Sequence, residues 1–419
     1  MRTNWFSYEQ VQPGMATSLL DPPRGTVEQE YRWTLNFGPQ HPATHTTLRL
    51  VLQIEGERVV DARPDIGYLH SGFEKIGEHL NYNQYVTVTD RMNYISPLAN
   101  NIAWHHAVET LLGLQLPPRC QYIRTILAEL ARISDHLLSN GACALDTGAF
   151  TAFLYAFNQR EVLYQVFETL CGARFTTSYT RVGGLMYDAT PKFIAQVRQF
   201  VKEFPKVHSD ICRLLNRNRI FVERTKGIGG LTREEAINRG ATGPVARASG
   251  VTRDLRKDDP YLAYSDFDFQ VVCSDVGDCF HRYLVRMDEM LESVKIVEQA
   301  IENLPPGPVN VPMGDRTVLP DKTRVYNTIE GLITHFEVVM TNRGFQAPRE
   351  ECYAAVEAPN GELGFYLASD GSDIAYRARC RPPSFVHFAM FPHLMKGHLV
   401  SDIVAVLGSL NIIAAELDR

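Results

Sequence analysis

Two histidines stand four residues apart in a loop that contains two prolines, and they are the first side chains in the chain suited to chemistry. The loop reads Gly38-Pro39-Gln40-His41-Pro42-Ala43-Thr44-His45. Because proline restricts the backbone, His41 and His45 would point in defined directions. Such a pair could donate protons, bind a metal ion or belong to a structural loop. The metal interpretation is the weakest of these, because no further ligand stands nearby in the sequence.

Three further clusters combine charged residues with glycine or tyrosine. They comprise residues 69–78 (LHSGFEKIGE), 90–94 (DRMNY) and 145–149 (LDTGA). Dense charge beside glycine is also typical of a solvated helix start, so the first two clusters permit a structural interpretation. Asp146 in the third cluster follows a long apolar helix, and it could be the N-cap of a helix that begins near Ala149.

The composition argues against some classes of protein. The chain has 419 residues, a formal charge of −6 and a pI near 6.1. These values argue against a nucleic-acid-binding protein, because phosphate contacts need a basic surface. Eight cysteines occur without a single C-x-x-C spacing, so the sequence predicts neither a zinc ribbon nor a run of iron–sulfur ligands.

Neither a secretion signal nor a membrane span is predicted. The N-terminus lacks a basic-then-apolar segment, and no run reaches the roughly 18 apolar residues that a membrane-spanning helix needs. The most apolar segment, residues 399–415, is interrupted by Ser401, Asp402, Ser409 and Asn411. That composition is typical of a buried helix. We therefore expect a soluble chain that reaches a membrane only through partner proteins.

The spacing of apolar residues predicts long helices with small sheets. Alternation over residues 47–60, around Glu55-Gly56-Glu57, indicates a β-hairpin. Apolar residues spaced three or four apart predict helices near 123–138, 149–171, 190–216 and 278–304. Residues 318–390 mix short strands with turns such as Pro359-Asn360-Gly361. The simplest fold consistent with these patterns is α+β, a helical bundle with small peripheral antiparallel sheets. Residues 1–30 would form an N-terminal arm, and residues 31–419 would form one domain.

Eight motifs, in chain order, resemble the 49-kDa subunit family of respiratory complex I over roughly residues 30–419. They are G-P-Q-H-P-x-x-H (38–45), G-Y-L-H-x-G-F-E-K-x-x-E (67–78), R-M-x-Y (91–94), R-V-G-G (181–184), R-A-S-G (247–250), V-R-x-x-E-M-x-E-S (285–293), G-E-L-G-F-Y (361–366) and A-x-x-G-S-L (405–410). Each motif is short, but eight in the same order make chance agreement implausible.

The resemblance implies a fold similar to the large subunit of nickel–iron hydrogenase, in which the former metal cavity has become a quinone headgroup site. It implies a proton-pumping NADH:quinone oxidoreductase that is active only as a complex. Electrons would arrive from the terminal [4Fe-4S] cluster of an adjacent small subunit of the B type. The other expected partners are a 30-kDa subunit of the C type, a ferredoxin-like subunit of the I type and a membrane subunit of the H type. The chain would lie peripherally on the cytoplasmic face of the inner membrane.

The resemblance also implies roles for individual residues. His45 and Tyr94 would donate to the two quinone carbonyl oxygens, with Asp146 as the acidic partner of His45. Their side chains suit this role, because reduction of a quinone creates an oxyanion that needs a proton. The remaining predicted binding residues are His41, Met92 and Arg91, the last of which would face the cluster.

The sequence departs from the hydrogenase pattern at the metal ligands. The spacing R-x-C-x-x-C falls on residues 91–96 and places Asn93 and Ser96 at the cysteine positions, and the C-terminal pair falls near Ile413 and Glu416. The chain is therefore predicted to bind no metal, since these clusters need thiolate ligands. That argues against an active hydrogenase. A non-catalytic scaffold is the other alternative, but it would have no need of both predicted proton donors.

Overall fold

The computed structural model describes residues 32–44, 47–312, 319–340, 343 and 345–419. The predicted N-terminal arm and the catalytic candidate His45 lie outside these residues. Within them the chain combines long helices with small antiparallel sheets, so the α+β prediction is confirmed.

The described strands form three antiparallel sheets. They are β1 (Arg32–Phe37), β2 (Arg49–Glu55) and β3 (Arg58–Asp65); β4 (Thr180–Arg181) and β5 (Gly184–Leu185); and β6 (Glu351–Ala358), β7 (Gly361–Ala368) and β8 (Arg377–Arg381). The predicted hairpin corresponds to β2 and β3, and the predicted turn at Pro359-Asn360-Gly361 joins β6 to β7. Strand β1 adds an edge outside the predicted hairpin. Its residues Trp33, Leu35 and Phe37 alternate with polar residues, but Trp33 is exposed and the other two are only partly buried.

The helices account for most of the fold. In the described residues they are α1 (Phe73–Gly77), α2 (Val86–Thr89), α3 (Pro97–Leu112), α4 (Pro118–Asp146), α5 (Phe150–Cys171), α6 (Pro191–Leu215), α7 (Arg219–Thr225), α8 (Arg233–Asn238), α9 (Gly243–Arg247), α10 (Leu255–Asp258), α11 (Cys279–Glu302), α12 (Lys322–Asn327), α13 (Ile329–Val339), α14 (Pro383–Ala389), α15 (Phe391–Met395), α16 (Ile403–Leu410) and α17 (Ala414–Asp418). The predicted helices correspond to α4, α5, α6 and α11. Across the described ranges, no helix combines the length and the apolar character needed to cross a membrane.

Helix α4 is the centre of the bundle. It packs against α3, α5, α11 and α16. Its apolar residues Ile123, Leu127 and Leu130 are fully buried, as the three-to-four-residue spacing predicts. Because neighbours cover it on several sides, polar residues such as Arg124 and Asp135 are buried too. Their charges must therefore find partners inside the protein.

Arg124 pairs with Glu109 of α3 at 2.8 Å, and a separate cluster of buried charges is also paired. Arg247 donates from Nε to Glu289 at 2.7 Å and from Nη1 to Glu357 at 2.7 Å. Arg256 pairs with Glu129 at 3.2 Å. These residues come from α4, α9, α10, α11 and β6, which are far apart in the chain. Because an unpaired buried charge is costly, the cluster favours one arrangement of these elements.

The junction between α4 and α5 corrects one prediction. Asp146 is the last residue of α4, whereas the N-cap of α5 is Ala149, which makes no side-chain capping hydrogen bond. The interpretation of Asp146 as an N-cap is therefore wrong. The chain turns between the two helices at Gly148, whose φ of +92° lies in a region that glycine adopts readily.

Candidate functional site

A cavity of about 540 Å³ lies between the segment around α1, α2 with the residues that follow it, the segment that follows α5, and α17. Its wall contains Arg91 and Tyr94, two of the predicted site residues, together with Asp90. The other lining residues are mainly apolar: Leu69, Ser71, Phe73, Ile76, Thr87, Val88, Phe175, Thr176 and Ala415. An apolar cavity with a few polar groups suits a ring-shaped organic ligand that is oriented by one or two hydrogen bonds.

Tyr94 is the cavity side chain best suited to donate a proton. It is half-buried, and its ring lies 6.3 Å from the ring of Phe175, measured between centroids. Phe175 in turn meets Tyr164 edge-on at 6.2 Å. Burial, and to a smaller extent the Asp135 carboxylate, raise the pKa of Tyr94 above its ordinary value. The phenol therefore stays protonated at neutral pH and keeps its hydroxyl as a donor.

Arg91 gives the site a positive charge beside Tyr94. The side chain is exposed in this chain, at the edge of the cavity. An exposed guanidinium in this position is available to a ligand or to the surface of a neighbouring subunit.

Asp135 lies deeper in the protein, on α4, and the sequence analysis does not single it out. Its carboxylate accepts hydrogen bonds from Nδ2 of Asn93 at 3.2 Å and from Nδ2 of Asn411 at 2.7 Å. The one feature of the sequence that could have pointed to Asp135 is its position among the residues that line the buried face of a long amphipathic helix.

Glu416 follows the cavity residue Ala415 in α17. It is 1% exposed and accepts a hydrogen bond from Oγ of Ser384. Burial raises the pKa of Glu416 to about 7. A substantial fraction of this carboxyl is therefore neutral at physiological pH, next to the wall of the cavity.

The other predicted site residues lie away from this cavity or outside the described residues. Met92 is fully buried in the core and is not among the lining residues, so its position does not support a role in binding. His41 packs on Phe37 at 4.1 Å between ring centroids, and its Nδ1 accepts a hydrogen bond from the backbone N–H of Ala43. Asp146 is exposed at the end of α4. Its predicted pairing with His45 stays a prediction, because His45 lies outside the described residues.

The side chains that could ligate a metal do not converge in the described part of the chain. Among the described residues, no group of three or more histidine, cysteine or acidic side chains has a geometry that could hold a metal ion. The eight cysteines are free thiols. Burial raises the pKa of Cys143 to about 12 and that of Cys120 to about 11. These two thiols therefore stay protonated, whereas metal ligation requires a thiolate.

Comparison with known proteins gives a consistent result. Residues 146–419 match the family model described as "Respiratory-chain NADH dehydrogenase, 49 Kd subunit". The chain is 50% identical over 396 residues to the D-type subunit of the NADH-quinone oxidoreductase of Methylacidiphilum infernorum, covering 94% of each chain. The corresponding protein of Opitutus terrae is 49% identical, over 93% of this chain and 91% of that one. That of Akkermansia muciniphila is 47% identical over 92% of both. The chain therefore belongs to the family of the 49-kDa subunit of respiratory-chain NADH dehydrogenase.

Proposed function

We propose that this chain forms the quinone headgroup site of a proton-pumping NADH:quinone oxidoreductase, and that quinone is reduced in the cavity lined by Arg91 and Tyr94. The observation that carries this proposal is the position of a protonated, half-buried tyrosine on the wall of a largely apolar cavity. Family membership supports it, as do relatives whose names state NADH-quinone oxidoreductase activity.

The chemistry requires two electrons and two protons for each quinone. Electrons would come from a [4Fe-4S] cluster in a small partner subunit of the B type. Tyr94 would donate a hydrogen bond, and then a proton, to one carbonyl oxygen as negative charge develops there. His45 would serve the other oxygen, with Asp146 orienting its imidazole and favouring the charged form. Quinone is the substrate, and this chain would contribute no metal.

Arg91 would act on the electron-transfer side of the site. Its exposed guanidinium would face the cluster of the small subunit, and a positive charge there stabilises the reduced cluster. The roles of His41 and Met92 in binding remain proposals; for Met92 the only route is indirect, through the packing that supports its neighbours Arg91 and Tyr94.

The wider setting follows from the proposed activity. We infer a fold like that of the hydrogenase large subunit, with amide and carboxyl side chains such as Asn93 and Glu416 at former thiolate positions. The complex would include the C-type, I-type and H-type subunits beside the B-type subunit. The H-type subunit would hold the chain peripherally at the cytoplasmic face of the inner membrane, where coupling to ion translocation would take place.

The Tyr94→Phe variant tests the proposal in the assembled complex. Phenylalanine keeps the ring and its packing but deletes the donor hydroxyl, so quinone reduction should fall by about a hundredfold. Electron transfer to a hydrophilic artificial acceptor upstream should continue at the wild-type rate. Tyr326→Phe is the matched control, because that ring is 80% exposed on α12, away from the cavity. Wild-type rates and affinities in Tyr94→Phe would favour a non-catalytic scaffold instead.

A further inference from the structure

The penultimate residue of the chain, Asp418, holds one wall of the cavity in place. Its Oδ1 accepts a hydrogen bond from the backbone N–H of Gly67 at 3.0 Å, and its Oδ2 accepts one from Leu69 at 2.7 Å. Nδ1 of His70 lies 2.8 Å from the backbone oxygen of the same aspartate. One residue therefore fixes the segment 67–70, although Asp418 and Leu69 are 349 positions apart in the chain.

This segment continues directly into the wall of the cavity. Leu69 and Ser71 line it on one side, and Ala415 of α17 lines it as well. Asp418 belongs to that same short helix. The C-terminal helix thus contributes one lining residue and, through Asp418, determines where the segment with Leu69 and Ser71 lies.

The hydrogen bonds of Asp418 are shielded from water and made by a charged acceptor. The residue is only 7% exposed, so both hydrogen bonds are made by a carboxylate with little access to water. Hydrogen bonds to an ionised acceptor are stronger than neutral ones. The next residue, Arg419, places its guanidinium over the ring of Phe385 at 4.2 Å and lies 3.5 Å from Glu74. Asp418 therefore contacts the segment that precedes α1, and Arg419 contacts the first turn of α1.

We propose that Asp418 is a positioning residue that sets the Leu69–Ser71 wall and thereby the affinity of the cavity for the quinone headgroup. Asp418 is not itself a lining residue, so it acts through the backbone of Gly67 and Leu69. This inference rests on the proposed function for the identity of the ligand, and it assigns Asp418 no part in electron or proton transfer.

The test is Asp418→Asn in the assembled complex, with a short-chain quinone as substrate. Asparagine keeps one acceptor oxygen but turns an NH₂ group toward the second backbone N–H, so the wall should shift. We expect KM to rise about fivefold or more while kcat stays within about twofold, because the donors themselves are untouched. The dissociation constant of the quinone, measured at equilibrium without turnover, should rise by the same factor.

Two further variants complete the experiment. Asp418→Glu keeps the charge and both acceptor oxygens, so it should recover most of the lost affinity. Asp370→Asn is the matched control: its carboxylate also accepts a backbone hydrogen bond, from Ser372 at 3.1 Å, but in an exposed turn. This control should behave like the wild type.

The outcomes separate this inference from the proposed function. If Tyr94→Phe abolishes quinone reduction while Asp418→Asn leaves KM and the dissociation constant unchanged, the positioning role is wrong and the proposed function stands. If Tyr94→Phe has no effect, the proposed function fails. A loss of kcat at constant KM in Asp418→Asn would also overturn positioning. Failure of both Asp418 variants to assemble would assign the residue a purely structural role.

Discussion

The Asp90 carboxylate accepts hydrogen bonds from both the backbone N–H and the side-chain hydroxyl of Ser178, with the N–H bond at 3.0 Å. Asp90 precedes Arg91 and lies four residues before Tyr94, whereas Ser178 follows the cavity residues Phe175 and Thr176. The contact therefore joins two walls of the cavity that are far apart in the chain. Burial raises the pKa of Asp90, although the hydrogen bonds from Ser178 oppose that effect.

Replacing Asp90 should separate these two walls. Asp90→Ala leaves the half-buried backbone N–H of Ser178 without its acceptor, which should cost on the order of 1 kcal/mol of unfolding free energy. Ser178→Ala removes only the hydroxyl and should cost less. Urea unfolding of the full-length chain measures both values. Equal losses in the two variants would contradict the importance of the backbone hydrogen bond.

A double-mutant cycle tests the predicted pairing of His45 with Asp146. His45→Ala should cut quinone reduction severely, because it removes a proton donor, and Asp146→Asn should give a milder loss, because it only loosens the imidazole. If the carboxylate acts through the histidine, the double variant should be no slower than His45→Ala alone. Steady-state rates of the assembled complexes provide the measurement. If the rate loss of the double variant equalled the product of the two single losses, the two residues would act separately.

The raised pKa of Glu416 should make the free energy of unfolding depend on pH. Its pKa is raised from the ordinary 4.5 to about 7, so between these values the folded chain holds a proton that the unfolded chain releases. Stability from this group is complete below about pH 4.5 and is lost as the pH rises toward 7. The groups that face it are Ser384, Asn360 and the carboxylate of Asp135. Burial, and after it the charge of Glu416, raise the pKa of the neighbouring Cys380 thiol.

Glu416→Gln replaces the titratable carboxyl with an uncharged amide, whose carbonyl oxygen can still accept the hydrogen bond from Ser384. Relative to the wild type, the variant should therefore gain up to about 3 kcal/mol of unfolding free energy between pH 4.5 and pH 8. Unfolding of both chains in urea at several pH values measures the difference. A difference that does not change with pH would mean that Glu416 is ionised throughout this range.

The buried charge cluster should be far less tolerant of substitution than surface ion pairs. Arg247→Met leaves Glu289 and Glu357 without their main cation, which should cost about 3–5 kcal/mol. The control is Arg219→Met, whose pair with Glu223 is exposed, with side-chain exposures of 87% and 62%. That change should cost less than about 1 kcal/mol. Similar unfolding free energies for the two variants would contradict the structural role of the cluster.

Much of the fold was predictable from local patterns. The helices α5, α6 and α11 and the hairpin of β2 and β3 lie close to the predicted positions, because burial on one side leaves a periodic apolar signal in neighbouring residues. Strand β1 lies outside the predicted elements. Its apolar residues Trp33, Leu35 and Phe37 do alternate with polar ones, but a run of six residues that is mostly exposed is a weak signal. Motif spacing also placed Arg91 and Tyr94 together, and the structure brings both to one cavity.

Local sequence patterns predict most of the helices and strands and all of the motifs, whereas the packing of the helices fixes which distant residues support the site. The contacts of Asp90 with Ser178, of Asp135 with Asn411, and of Asp418 with Gly67 each join residues at least 88 positions apart. No local periodicity records such pairs, because each depends on how whole helices pack. The same packing buries Glu416 and raises its pKa, whereas its sequence context resembles an ordinary helix start. Burial and hydrogen-bond partners are properties of the assembled core, and they decide the chemistry of these carboxyl groups.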